Sequence, residues 1–172
     1  MRSDYYFKRE LRHILAALYP ENRLACEVSL ATGLRIGDVL SLKTDMLKNR
    51  FSVQEQKTGK RKAVYINNDL LERLLAVAGR VYVFPGRLDG RKHRTRQAVY
   101  KDVRRVRDAF RLKVNLSPHS MRKTYAVEMW HKYNEPRKVM DLLNHSNEAV
   151  TMLYLMAEAS TERLLGRKGA RK

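Results

Sequence analysis

Ser117-Pro118-His119-Ser120-Met121-Arg122-Lys123-Thr124-Tyr125 reads as a helix start that carries chemistry. Pro118 suits the first helical turn, where its missing N–H would have no partner in any case. Ser117 is a good N-cap. On the helix that follows, His119 and Arg122 stand three residues apart and project from one face. A histidine and an arginine presented together near a helix N-terminus make a place for an anion such as phosphate. Taken alone, the same residues fit a surface histidine and one more arginine of a basic chain. The rest of the sequence decides between the two.

The 172 residues are enough for one compact domain with a real core. Lys and Arg outnumber Asp and Glu by 36 to 18, a formal net charge of +18 spread along the chain. That excess points to a polyanionic partner, nucleic acid first. An anionic membrane surface is the weaker alternative, because no long apolar span or lipidation motif is visible. Met1 to Tyr6 contains no apolar signal core, which argues against secretion. Cys26 is the single cysteine and cannot close an internal disulfide. Among Leu24, Ala25, Val28 and Leu30 it reads as a small buried apolar residue, and a cytoplasmic compartment fits. The five histidines lack Cys or His neighbours at ligand spacing, so no metal site is expected; no cofactor is expected either.

Working outward, residues 7–18 carry apolar positions at helical spacing (Phe7, Leu11, Ile14, Leu15, Leu18), and Pro20 ends the run. A second helix is predicted over 21–31, with Gly33 suited to a left-handed C-terminal cap. Arg35 follows that break, then a short helix over 36–42. Residues 51–53 and 63–66 are β-branched or aromatic runs around the polar turn 55–62, which predicts a small antiparallel sheet with a basic hairpin. Asn67 to Asp69 can cap a helix carrying Leu70, Leu71, Leu74, Leu75 and Val77, closed by Gly79. The loop 88–96 holds Arg91, Lys92, Arg94 and Arg96. From about Thr95 a long helix places Val99, Val103, Val106 and Phe110 on one stripe and Lys101, Arg104, Arg105 and Arg107 on the other side. A charged face is ordinarily just solvated, but one this one-sided beside a basic loop points to nucleic-acid contact through Arg91, Lys92, Arg94, Arg96, Lys101, Arg104 and Arg105. A helix over 119–133, another from Pro136 and a third over 148–157 complete the chain, with Asn144 as a left-handed cap. The last residues, 161–172, form a basic tail.

Four stretches then resemble one family. Ala31-Thr32-Gly33-Leu34-Arg35-Ile36-Gly37-Asp38-Val39-Leu40 resembles the first arginine box of the tyrosine recombinases, the phage-integrase family. His119-Ser120-Met121-Arg122 is similar to that family's His-x-x-Arg box. Leu142-Leu143-Asn144-His145-Ser146 through Tyr154 resembles its third box, in which a histidine precedes the nucleophilic tyrosine by nine positions. Lys57 matches the lysine of the hairpin between the first two boxes. Asn144 replaces the usual glycine before the histidine. The resemblance implies an α+β, mainly helical catalytic-domain fold with a small antiparallel sheet over 1–160, a basic tail at 161–172 and no preceding core-binding domain, so either a minimal recombinase or an excised catalytic domain.

It also implies roles. Tyr154 attacks the scissile phosphodiester and forms a 3′-phosphotyrosyl bond. Arg35 and Arg122 hold the non-bridging oxygens with forked, permanently charged donors. His145 adds a hydrogen bond, Lys57 protonates the leaving 5′ oxygen, His119 accepts the tyrosine proton, and Asp38 buttresses Arg35 or His119. Double-stranded DNA is the implied partner, with a tetramer of protomers on recombining DNA. Read without the family, Tyr154 is equally an amphipathic-helix residue beside Met152 and Leu155, and Lys60 and Lys62 rival Lys57. A non-catalytic DNA-binding protein of the same fold and a type IB topoisomerase are the competing functions.

Overall fold

The computed structural model describes residues 8–112 and 115–144. Contacts divide the chain into two compact units, Met1–Tyr125 and Ala126–Lys172. The architecture is α+β and mainly helical, with a two-stranded antiparallel sheet.

In the first unit, α1 (Lys8–Ala16) ends before residues 17–19, and Pro20 opens α2 (Pro20–Thr32). Its ring disfavours a helical conformation at Tyr19, which is extended (ψ 143°), yet at a first-turn position its missing N–H has no helical acceptor to lose. Leu11, Ile14, Leu15 and Leu18 are buried on the inner face of this region. Each such side chain contributes roughly 1.5–3 kcal/mol through burial. Cys26 is fully buried in α2, and burial, then the charge of Asp102, pushes its thiol up to about 12. Gly33 ends α2 at φ 69°, with its N–H bonded to the Ser29 carbonyl at 2.8 Å. The left-handed turn sends the chain into α3 (Ile36–Leu40), with Arg35 as the residue before its first turn.

Strands β1 (Arg50–Gln54) and β2 (Arg61–Tyr65) pair with Val53 opposite Lys62. Alternation puts Phe51, Val53, Val64 and Ile66 on the buried face. The same period carries on past the apolar residues, so Glu55 and Lys62 are buried too. α4 (Asn68–Val77) opens where Asn67 Oδ1 accepts the Leu70 N–H at 3.0 Å. α5 (Arg96–Ala109) opens at Thr95, whose hydroxyl accepts the Ala98 N–H at 3.2 Å. Val99, Val103 and Val106 point into the core. Phe110 does not extend that stripe as the spacing predicts: the helix stops at Ala109, and Phe110 turns half-exposed. α4 likewise closes at Ala78 instead of Gly79, whose N–H bonds the Tyr82 carbonyl.

Asp102 anchors α5 to the start of α2. Its buried carboxylate accepts from the Tyr19 N–H (2.9 Å), Asn22 Nδ2 (2.8 Å) and Arg105 (2.7 and 3.0 Å). The buried core of this unit runs from Leu11 to Met121 and joins all these elements. α6 (Pro118–Tyr133) begins with the Ser117 hydroxyl accepting the His119 N–H at 3.2 Å. Met121 and Tyr125 are buried.

In the second unit, Asn134 takes a left-handed conformation (φ 48°) and its N–H bonds the Trp130 carbonyl at 2.7 Å. α7 (Pro136–Leu142) follows, with Val139 and Leu143 buried and the Lys138 ammonium 4.1 Å from the centre of the Tyr133 ring. Asn144 adopts the left-handed conformation (φ 50°) that its position predicts. No helix among the described residues is long and apolar enough to cross a membrane.

Candidate active site

A cleft of about 680 Å³ in the first unit gathers residues from four separate segments. Arg35 and Asp38 come from the start of α3, Lys57 from the hairpin tip, Arg96 and Tyr100 from the first turns of α5, and His119 and Arg122 from the first turn of α6. Each stands where an element begins or a turn ends. There the backbone is fixed by caps and packing while the side chain is still presented outward.

The two arginines are held differently. Arg122 is buried, 3% exposed, and its Nη1 donates to the Gly33 carbonyl at 2.6 Å and to Glu55 Oε1 at 3.3 Å. Arg35 has a side chain 21% exposed, and its Nη1 lies 3.0 Å from the same Glu55 oxygen, an ion pair without an aligned hydrogen bond. Burial, then the positive charge of Arg35, pulls the Arg122 guanidinium down from its ordinary value. Burial alone would raise Glu55. The Thr58 hydroxyl donating at 2.9 Å and the charges of Arg35 and Arg122 hold it below the usual carboxylate range.

His119 is pushed down to about 4 by burial and then by Arg122, Lys123, Arg35 and Lys57. At neutral pH its imidazole is uncharged and able to accept a proton. Asp38 is raised, chiefly by burial. Its Oδ1 accepts the Gln56 N–H at 2.9 Å, which ties α3 to the hairpin that carries Lys57, while its buried Oδ2 makes no hydrogen bond among the described residues. Lys57 is exposed at the mouth of the cleft. Its rival Lys62 is not among the residues that line the cleft. The Lys62 Nζ is buried, donates to the Thr32 carbonyl at 2.7 Å and sits 5.4 Å from the Tyr125 ring centre. Burial, then Arg122, lowers it to about 7. Lys60 is exposed outside the cleft lining.

Of the residues singled out from the sequence, Arg35, Asp38, Lys57, His119 and Arg122 therefore converge. His145 and Tyr154 lie outside the described residues. Among the basic residues expected to meet nucleic acid, Arg91, Lys92, Lys101 and Arg104 are exposed, and Arg96 lines the cleft. Arg94, partly buried, and Arg105, exposed, are in addition tied to other residues of the protein. Arg94 Nε donates to Asn22 Oδ1 at 2.7 Å, and Arg105 forks onto Asp102, donates to the Ala17 carbonyl and lies 4.6 Å from the centre of the Tyr19 ring. Sequence reading passed over Glu55 and Tyr100. For Glu55 a signal existed: it continues the inward period of Phe51 and Val53.

Comparison with known proteins gives a consistent picture. Residues 7–161 match the phage integrase family. The integrase of Escherichia phage P2 is 26% identical over 153 residues, 88% of this chain and 42% of that protein. The tyrosine recombinase XerD of Lacticaseibacillus casei is 27% identical over 148 residues, 77% of this chain and 49% of that protein. A solved lambda integrase dimer bound to a COC′ core site shares the fold with a TM-score of 0.73 at 22% identity, covering 90% of this chain and 48% of that one. The chain spans about half the length of these relatives.

Proposed function

The chain belongs to the phage integrase family, and from that premise we propose that it is a site-specific recombinase that cuts and rejoins double-stranded DNA through Tyr154. The observation that carries this is the convergence of Arg35, Lys57, His119 and Arg122 on one cleft from three segments far apart in sequence.

The chemistry follows from what each group can do. Two guanidiniums offer forked donors to the non-bridging oxygens of a phosphodiester and stabilise the negative charge that grows as phosphorus becomes five-coordinate. The Tyr154 phenol attacks phosphorus and its proton passes to the neutral imidazole of His119. The P–O5′ bond breaks and the leaving oxygen takes a proton from Lys57, at the hairpin tip. His145 donates a further hydrogen bond to the phosphate. The product is a 3′-phosphotyrosyl ester that keeps the energy of the phosphodiester, so attack by a new 5′ hydroxyl reseals the strand without ATP. Bound phosphate also offsets the positive field at His119 and raises the imidazole toward its ordinary value, where it is a better base. Arg91, Lys92, Arg96, Lys101 and Arg104 supply sequence-independent contacts to flanking phosphates. Four strand exchanges require a tetramer on paired DNA.

Incubation with a nicked suicide substrate tests this. The wild-type chain forms a covalent adduct stable on a denaturing gel, and Tyr154→Phe abolishes the adduct while retaining DNA binding. Binding without adduct in the wild type would make it a DNA-binding protein of the same fold. Relaxation of any supercoiled plasmid, without choice of site, would make it a topoisomerase.

A further inference from the structure

We infer that Glu55 is a positioning residue of the phosphate site, holding Arg35, Arg122 and the turn of Lys57 in one fixed arrangement; this rests on the recombinase reading above. Glu55 is fully buried and does not line the cleft, so it touches no substrate. Yet one carboxylate oxygen meets Nη1 of both Arg35 (3.0 Å) and Arg122 (3.3 Å), and the other accepts from the Thr58 hydroxyl (2.9 Å). Its main chain closes the hairpin as well: its N–H bonds the Lys60 carbonyl (3.0 Å) and its carbonyl accepts the Gly59 N–H (2.9 Å). Lys57 lies inside that closed turn. One residue thereby links all three cations.

Charge sharpens the case. A buried anion beside a phosphate-binding site opposes DNA binding by simple Coulomb repulsion. If affinity alone had to be served, an uncharged residue would do better here. What the negative charge supplies is mutual alignment: two adjacent guanidiniums repel, and the partly exposed Arg35 has water to swing into unless something holds it. Catalysis depends on that alignment far more steeply than binding does. Loss of the charge should therefore move affinity and cleavage in opposite directions, which a general loss of stability does not do.

The test uses the full chain with Glu55→Gln, isosteric and uncharged, and Glu55→Ala. Three quantities are measured: affinity for the duplex site, single-turnover cleavage of the suicide substrate, and the Nε–H NMR signals of Arg35 and Arg122. Glu55→Gln should bind DNA as tightly as wild type or tighter, cleave about 100-fold more slowly, and show shifted or broadened arginine signals. Glu55→Ala should cleave no faster than Glu55→Gln. If the wild type cleaves and Glu55→Gln cleaves within about threefold of it, the positioning role is wrong and the recombinase reading stands. If the wild type does not cleave, the recombinase reading fails, and the arginine signals decide alone: unchanged signals in both variants overturn the positioning role, and altered ones sustain it.

Discussion

Gly33→Ala should unfold the site from its foundation. Two effects add at this position. The backbone stands at φ 69°, a left-handed conformation that costs an alanine about 1–2 kcal/mol. A Cβ built there would lie 2.4 and 2.5 Å from Cδ1 and Cε1 of Tyr125, inside any real contact distance. That ring is not a flexible chain end. It is buried and packed under the Lys62 ammonium. Forcing it aside adds overpacking of about 1–3 kcal/mol, for a total near 2–5 kcal/mol. In a chain of this length that corresponds to a fall in Tm of roughly 5–15 °C.

Gly59 supplies the control. Its φ is 67°, almost the same, but an added Cβ there meets nothing within 4 Å. Gly59→Ala should therefore lose only the backbone part, about 1–2 kcal/mol. Calorimetry on both variants and on Gly33→Ala combined with Tyr125→Ala separates the terms. The double variant should show favourable coupling, because the second change removes the clash that the first creates. Equal Tm values for Gly33→Ala and Gly59→Ala, or strict additivity in the double variant, would refute the steric part of the account. Gly33→Ala should also slow strand cleavage, since Arg122 is bonded to the Gly33 carbonyl and Arg35 follows two residues on.

Two further outcomes depend on protons. In kcat/KM for cleavage, which reports the free enzyme, the acid limb should lie nearer pH 4 than 6.5, because His119 stays neutral down to about 4; a limb at 6.5 that moves with His119→Gln would refute the assignment. Lys62 is held down to about 7 in the folded chain against 10.5 in the unfolded one, so between those values the unfolded state binds the extra proton and stability rises with pH, by at most about 1.4 kcal/mol per unit. Urea midpoints measured from pH 6 to 10 should show that rise in the wild type and a flatter line in Lys62→Met; parallel lines would mean that Lys62 holds its proton as firmly in the folded chain as in the unfolded one.

How much of this was legible beforehand follows from the physics of each signal. Helix starts were readable because their chemistry is local: Thr95, Asn67 and Pro20 mark α5, α4 and α2 within a residue. Gly33 was readable for the same reason. Strand ends were missed by one or two residues, since pairing is decided by the partner strand and not by propensity alone. The convergence of Arg35, Lys57, His119 and Arg122 rested on the family resemblance, because no local rule brings residues 87 positions apart into one cleft. Glu55 was read only as part of the polar turn, where it lies just past β1, and its burial was not foreseen. A charged residue on the inward period of a strand looks like an error in the pattern until its partners, Arg35 and Arg122, are known. Arg94 and Arg105, counted with the basic surface, also bond Asn22 and Asp102, partners 72 and three positions away that the charge pattern does not announce.

The same contacts explain why arginine, and not any cation, occupies position 122. The last carbonyls of α2 face inward without helical donors, at the negative end of the helix dipole. Lys62 satisfies that of Thr32 and Arg122 satisfies that of Gly33. A single ammonium suffices for the first task, because Lys62 has one carbonyl to meet. Arg122 must bond the Gly33 carbonyl, meet Glu55 and still present charge to the cleft that it lines. Only a planar fork with five donors can do all three at once, and a lysine there would have to abandon one. The residue proposed to grip phosphate is thus also the one that bonds the end of α2 at the turn into Arg35. Folding of the first unit and assembly of the proposed phosphate site are, on these contacts, the same event.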